Sequence, residues 1–212
     1  DELRGFYRSK VMIVLWIGLP LLSLFFFLFS PDTGEDLPLT VTTSLIVSSI
    51  AGTLGAVMLA VSIINEKRSK VYDLFLIRPI KRRDILVSKF LAVYVCIAIA
   101  VSISLMLGLG VDYYRFGGIP KGMLSSIIDS IIISLSMMAI SASAGVLIGV
   151  ISPSVLVGAV LVIYGGNQIS ILPALPALFE ISNENIFAIA VGAVTTILLL
   201  SIAIWIFGRK QF

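Results

Sequence analysis

Histidine is absent from the 212 residues, and cysteine occurs once, as Cys96 within an apolar run. The chain therefore lacks the residue used in Ser–His triads, in most haem ligation and in many metal sites. A single cysteine rules out a disulfide framework and is typical of core packing. The phosphate-binding pattern G-x-x-x-x-G-K-[ST] is also missing. These absences exclude histidine-dependent catalysis, a disulfide-stabilised fold and nucleotide binding through a phosphate loop.

Charged residues are scarce as well. They make up 13% of the chain, against about 25% in soluble domains. Hydrophobic residues make up 58%, and the mean hydropathy is +1.11. The net charge of +3 does not indicate nucleic-acid binding, because the basic residues flank apolar runs rather than line one helix face or groove. The composition predicts an integral membrane protein.

The apolar runs predict the number of membrane crossings. A helix needs about 20 apolar residues to cross the hydrocarbon core, and the segments between the runs leave no room for a soluble domain. We therefore predict a single transmembrane domain over residues 1–212. Its fold class is all-α, a polytopic bundle of six transmembrane helices. The predicted spans are residues 11–29, 41–64, 85–110, 123–150, 155–172 and 186–207.

The distribution of positive charge predicts the orientation of these spans. If the N-terminus is cytoplasmic, only Arg115 and Lys121 of the 15 Lys and Arg residues lie outside. Cytoplasmic loops carry an excess of Lys and Arg. We predict a multi-pass protein of the plasma (cytoplasmic) membrane with both termini in the cytoplasm.

The segment Asn65–Lys89 joins the second and third predicted spans and carries much of the positive charge. Its charges suit anchoring to anionic lipid at the inner face. Its centre is apolar, and Val71, Leu74 and Phe75 share one helical face at the i, i+3, i+4 spacing. Pro79 ends this helix. The pattern predicts a short cytoplasmic helix whose apolar face suits the membrane interface or a groove in a partner protein.

The run from Glu66 to Lys89 resembles a loop of type-2 ATP-binding-cassette (ABC) export permeases. That loop has roughly the pattern E-R-x-x-G-T-L-E-L-L-L-x-x-P-V-x-R-x-x-I-L-x-x-K. Lys70 and Val71 replace the usual Gly and Thr, so we expect a more regular first turn. The six spans, the long first cytoplasmic loop and the very short second one are also similar to these permeases. The matching positions are Glu66, Asp73, Leu74, Phe75, Leu76, Pro79, Ile80, Arg82, Ile85, Leu86 and Lys89.

The resemblance implies a division of labour between two kinds of subunit. This chain would be the membrane permease of an exporter, and a separate ABC ATPase subunit would bind ATP and Mg. The loop helix would be the coupling helix, which sits in a cleft of the ATPase and transmits its closure to the spans. A second permease chain, identical or related, would complete the transporter. The residues implied at the ATPase contact are Glu66, Val71, Tyr72, Asp73, Leu74, Phe75, Arg78, Pro79 and Arg82.

Two further segments follow from the same resemblance. Residues 1–10 are similar to the N-terminal amphipathic elbow helix of these permeases, with Leu3, Phe6 and Tyr7 toward lipid and Arg4 and Arg8 toward the headgroups. Residues 171–185 carry two prolines and are expected to form an extracellular re-entrant segment before the last helix.

Polar residues within the spans are the candidates for the translocation pathway. Tyr164–Gln168, with the sequence YGGNQ, predicts a break in the fifth span near mid-bilayer, which is tolerated only where protein or a cavity surrounds it. We predict that Asn167 and Gln168 face the translocation route or the seam between subunits. Asp129 is the only acid inside a predicted span. It is either a shallow acid hydrated from outside or a contact for a proton, a cation or a cationic substrate.

Small residues recur at four-residue spacing in the second and fourth spans. Such patterns let helix backbones approach closely, either within one chain or between two chains of a dimer. The residues concerned are Gly52, Ala56, Ala60, Ser141, Gly145 and Gly149.

Other functions have weaker support. A passive channel or a scaffold has no need for the exposed apolar helix that ends at Pro79. A haem-exporting permease has similar length and six spans, but the absence of histidine speaks against direct haem ligation. A membrane enzyme would need a nucleophile–base pair, an acid dyad or a metal set, and the spans contain none of these. An apolar pathway favours lipids, amphipathic drugs or small peptides as cargo.

Overall fold

The computed structural model describes residues 10–29, 39–69, 82–116, 123–175 and 184–209, and these ranges contain no β-strand. Five of the helices are long and apolar enough to cross a membrane, and Met12–Phe26 adds a shorter apolar helix. The chain is an all-α polytopic membrane protein, as its composition predicted. The helices are α1 (Lys10–Phe29), α2 (Leu39–Arg68), α3 (Arg82–Phe116), α4 (Met123–Ile151), α5 (Val155–Ala174) and α6 (Glu184–Arg209).

Several predicted elements lie outside the described residues. They are the elbow helix apart from Lys10, the loop helix within residues 70–81, and residues 176–183 of the re-entrant segment.

The prediction of unwound backbone in the fifth span is wrong, because α5 stays helical across the YGGNQ segment. The helix is regular over Val155–Leu161, widens into a π-helical turn over Val162–Gly166, and continues as an α-helix over Asn167–Ser170. A 3-10 turn, Leu172–Ala174, follows. Asn167 has φ −67° and ψ −38°, which are ordinary helical values. The two glycines and two amides mark a change of helical pitch rather than unwound backbone.

Helices α2 and α4 pack backbone against backbone through small residues. A Cβ atom on Gly145 would lie 2.5 Å from the carbonyl oxygen of Ala56, and one on Gly149 would lie 3.0 Å from the Cα atom of Ala60. One turn earlier on α2, a Cβ on Gly52 would lie 3.2 Å from the Cβ of Ser141. Because these contacts occur within one chain, the small-residue pattern is used for intrachain packing.

Burial is uneven across the bundle. The most apolar windows of α2, α3 and α4 are 50%, 50% and 61% buried inside the chain, whereas those of α5 and α6 are 22% and 17% buried. Helices α2 to α4 therefore form the centre of the described fold, and α5 and α6 present most of their surface outward.

Candidate functional site

The first predicted site residue with a defined contact is Glu66, near the end of α2. The ammonium group of Lys89 donates a hydrogen bond to Glu66 Oε1 at 2.5 Å, and the hydroxyl of Ser62 donates to the same oxygen at 3.2 Å. Ser62 and Glu66 are four residues apart on α2 and so share one face. The Lys89 side chain is 3% exposed and that of Glu66 is 24% exposed. A largely buried ion pair thus connects α2 to α3 close to the segment 70–81 that joins them.

The sequence placed both Glu66 and Lys89 in the loop motif but did not predict that they form a pair. Of the other residues implied at the ATPase contact, Arg82 is the first residue of α3. The rest lie outside the described residues: Val71, Tyr72, Asp73, Leu74, Phe75, Arg78 and Pro79.

Asn167 lies directly after the π turn and faces α2. Its Oδ1 atom accepts a hydrogen bond from the Ser49 hydroxyl at 3.3 Å. The Thr53 hydroxyl donates to the Ser49 carbonyl oxygen at 2.8 Å and lies 3.4 Å from the same Asn167 oxygen. Ser49 and Thr53 are one helical turn apart, so a single face of α2 provides both hydroxyl groups. A small polar cluster therefore links α2 and α5 inside the apolar bundle.

Gln168 points away from this cluster, although it is adjacent to Asn167 in the chain. Its side chain is exposed, and Tyr164, one turn earlier, is 74% exposed. Successive helical residues point about 100° apart, so the two amides face different surroundings. Asn167 belongs to an interhelical contact, and Gln168 and Tyr164 belong to the open face of α5.

Asp129 lies near the start of α4 and contacts α6. The Asn185 side-chain amide donates to Asp129 Oδ1 at 2.6 Å, and Asp129 is partly exposed. Asn185 Oδ1 is buried and has no hydrogen-bond partner among the described residues. The sequence identified Asp129 as an unusual acid but did not predict this bond, because the two residues are 56 positions apart.

A cavity of about 470 Å³ lies between α3, α4 and α6. Its lining is mostly apolar and includes Phe90, Tyr94, Leu135 and Ile197. The lining contains none of the predicted pathway residues. Within the described ranges, no group of three or more His, Cys, Asp or Glu side chains could hold a metal ion.

Comparison with known families shows which family the chain belongs to. A family model described as an ABC-2 family transporter protein matches residues 32–165, more than half of the chain. The chain belongs to the ABC-2 transporter family. The matched range includes all of α2, α3 and α4, the segment between α2 and α3, and α5 as far as the π turn. No curated protein and no solved structure matches the chain.

Membership of the ABC-2 family makes this chain a membrane permease component of a transporter. Both residues of the Glu66–Lys89 pair and Asp129 lie inside the matched range, whereas Asn167 and Gln168 lie just beyond it.

Proposed function

We propose that this chain is the membrane-spanning permease subunit of an ATP-driven exporter. It moves a substrate from the cytoplasm or the inner leaflet outward, and a separate ABC ATPase subunit binds ATP and Mg and supplies the energy. The observation that carries this proposal is the ABC-2 family match, which spans the whole segment Glu66–Lys89. Residues 1–212 contain no phosphate-binding loop, so the proposal assigns ATP binding to the ATPase subunit.

The coupling helix of this proposal lies within residues 70–81. Leu74 and Phe75 dock into a groove of the ATPase, as an amphipathic helix does in a partner's cleft. Val71 shares their helical face, and Tyr72 borders it. The ATPase contact also includes Glu66, Asp73, Arg78, Pro79 and Arg82. The buried pair between Glu66 and Lys89 supports this arrangement, because it ties together the two helices that flank the segment. A displacement of the coupling helix would then move α2 and α3 as one unit.

The translocation route in this proposal runs along the exposed face of α5. Tyr164 and Gln168 are exposed on that face, and a polar side chain at mid-membrane depth is costly against lipid. This face therefore lies against a second permease chain, identical or related, or against the water-filled route itself. Asn167 lies beside the route, at the contact with α2. Asp129 acts at the outer end as a contact for a cation or a cationic cargo.

The proposed setting is the plasma membrane, with both termini cytoplasmic and the bundle surrounded by lipid. The guanidinium group of Arg209 lies 3.9 Å from the centre of the Trp205 ring at the end of α6. A tryptophan next to a basic residue is typical of a membrane–water interface. We also propose that residues 1–10 form the elbow helix at the same surface, and that the part of residues 171–185 between α5 and α6 forms the re-entrant segment at the opposite surface.

Copurification tests the proposal. The chain is expressed together with a candidate ABC ATPase subunit, and the double variant Leu74→Asp/Phe75→Asp is compared with the parent. We expect the parent to retain the ATPase and the double variant to lose it, because two carboxylates would have to be buried in the cleft. Tyr114→Asp is the matched control, since Tyr114 is 89% exposed at the opposite end of α3. An ATPase that never binds, or that binds the double variant as well as the parent, overturns the coupling assignment.

A further inference from the structure

The π turn of α5 is the one irregular turn between two regular helical stretches of this span. It covers Val162–Gly166 and contains about one residue more than an α-helical turn would. Val162, at its start, is buried against Ala56 and Ala60 of α2. Asn167, directly after it, accepts the Ser49 hydrogen bond. The extra residue therefore sits between two contacts with the same neighbouring helix.

Packing does not require the glycines in this turn. A Cβ atom on Gly165 would meet no atom within 4 Å, and one on Gly166 would lie 3.7 Å from the Cβ of Ala144, an ordinary contact distance. Gly145 of α4 is different, because a Cβ there would collide with the backbone of Ala56. Neither Gly165 nor Gly166 has a positive φ that would exclude other residues. What the two glycines do contribute is weak helix propensity, which makes the turn easy to rearrange.

A regular α-helical turn at this place would change which residue faces α2. Replacing a π turn by an α turn rotates the following residues by about 100°, the angle of one residue. Gly166 would then occupy the present place of Asn167 beside Ser49 and Thr53. Asn167 would occupy the present exposed place of Gln168. At present Gly166 faces α4 instead, toward Ala144 and Ile148.

We propose that α5 switches between these two registers, and that the switch determines whether Asn167 is held by α2 or presented on the open face of α5. The proposal rests on the proposed function, because the open face matters only if it borders the route. In the observed register, Asn167 Oδ1 is bound to the Ser49 hydroxyl and Gln168 is exposed. In the second register, Asn167 is exposed and the hydroxyl groups of α2 lose their amide partner. The switch thus changes the polar groups along the route.

Disulfide cross-linking distinguishes the two registers. In a Cys96→Ala background, the pair Thr53→Cys/Asn167→Cys reports the observed register and the pair Thr53→Cys/Gly166→Cys reports the second one. A disulfide also requires Cβ atoms that point toward each other, so a cysteine at position 166, which faces α4 in the observed register, should not react with Thr53→Cys. The pair Ala60→Cys/Val162→Cys is the control, because Val162 is the first residue of the π turn, comes before the extra residue and should cross-link in both registers.

We expect both reporter pairs to cross-link in resting membranes. Adding Gly165→Ala should raise the proportion of the Gly166→Cys cross-link, by at most about fivefold, because Ala favours a regular α-helix over Gly by about 1 kcal/mol. Deleting Gly165 should abolish the Gly166→Cys cross-link, because a regular helix without the extra residue keeps Asn167 near α2. If the Gly166→Cys pair never cross-links while the Asn167→Cys and control pairs do, α5 has one register and the proposal is wrong.

The response of the cross-links to nucleotide distinguishes a failure of the register switch from a failure of the proposed function. With the ATPase subunit present, ATP plus orthovanadate should change the ratio of the two reporter cross-links at least twofold. Two registers in resting membranes with no response to ATP would support the switch and contradict its link to an ATP-driven cycle. A single register together with ATP-dependent transport would contradict the switch and leave the exporter assignment standing.

Discussion

Lys89 of α3 and Glu66 of α2 form an ion pair in which Nζ lies 2.5 Å from Oε1, and the lysine side chain is only 3% exposed. The two residues flank the segment in which the coupling helix is proposed. Removing one member of such a pair leaves a buried charge without its partner, which costs far more than the pair itself contributes. The pair therefore makes the relative position of α2 and α3 well defined where the ATPase would act.

The first prediction concerns this pair. Lys89→Met should lower the free energy of unfolding by about 3 kcal/mol, the lower part of the range for breaking a buried pair, because Glu66 retains some contact with solvent. The double variant Lys89→Met/Glu66→Leu should recover most of that loss, since no unpaired charge remains. Thermal unfolding of the purified proteins in detergent measures the stabilities of the single and the double variant. If Lys89→Met is as stable as the parent, the structural role of the pair is contradicted.

The second prediction concerns the α2–α4 packing. Gly145→Ala should destabilise the fold by about 1–3 kcal/mol, the usual cost of overpacking, because its Cβ would lie 2.5 Å from the Ala56 carbonyl oxygen. Gly18→Ala in α1 is the matched control, because a Cβ at Gly18 meets no atom within 4 Å. The melting temperature and the yield of monodisperse protein report the difference. Equal effects at the two glycines would show that close approach of α2 and α4 is not essential.

The third prediction concerns the contact between Asn167 and Ser49. A double-mutant cycle with Asn167→Ala and Ser49→Ala should give a coupling energy of about 0.6 kcal/mol, the average for hydrogen bonds between membrane helices. The measurement is the unfolding free energy of the four proteins. Gln168→Ala with Ser49→Ala is the control cycle and should show no coupling, because Gln168 faces outward. Coupling at Gln168 as large as at Asn167 would contradict the observed register of α5.

The fourth prediction separates two roles of Asp129. Asp129→Asn keeps an oxygen that can accept from the Asn185 amide, so the melting temperature should stay within about 1–2 °C of the parent, as expected for a change of a few tenths of a kcal/mol. The same variant removes the negative charge. If the carboxylate contacts a proton, a cation or a cationic cargo, transport by the complete complex should fall and lose part of its dependence on external pH. Unchanged transport at every external pH would restrict Asp129 to its structural bond with Asn185.

The membrane class of the chain could be predicted from local sequence because the physical cause is itself local. A run of about 20 apolar residues satisfies its backbone hydrogen bonds internally only as a helix. The family resemblance was likewise carried by a contiguous segment, from Glu66 to Lys89, and the family match covers that segment. Asn167 and Asp129 were identified because a polar side chain is unusual within an apolar run.

The partners of these residues could not be predicted, because hydropathy does not specify how a helix is rotated about its axis. Ser49 and Asn167 are separated by 118 positions, and only the packing of α2 against α5 brings them together. The form of the YGGNQ segment was also decided by packing. Val162 at the start of the π turn and Asn167 directly after it both contact α2, and the helix is continuous where sequence alone predicted a break.

The sequence by itself therefore determined the membrane setting, the helical class and the family, since each depends on side-chain polarity within contiguous segments. Only the tertiary structure decided that Glu66 pairs with Lys89, that the small residues of α2 and α4 pack within one chain, and that Asn167 and Gln168 face different surroundings. The physical reason is that these features depend on the rotation and approach of whole helices, which many weak contacts across the bundle fix together.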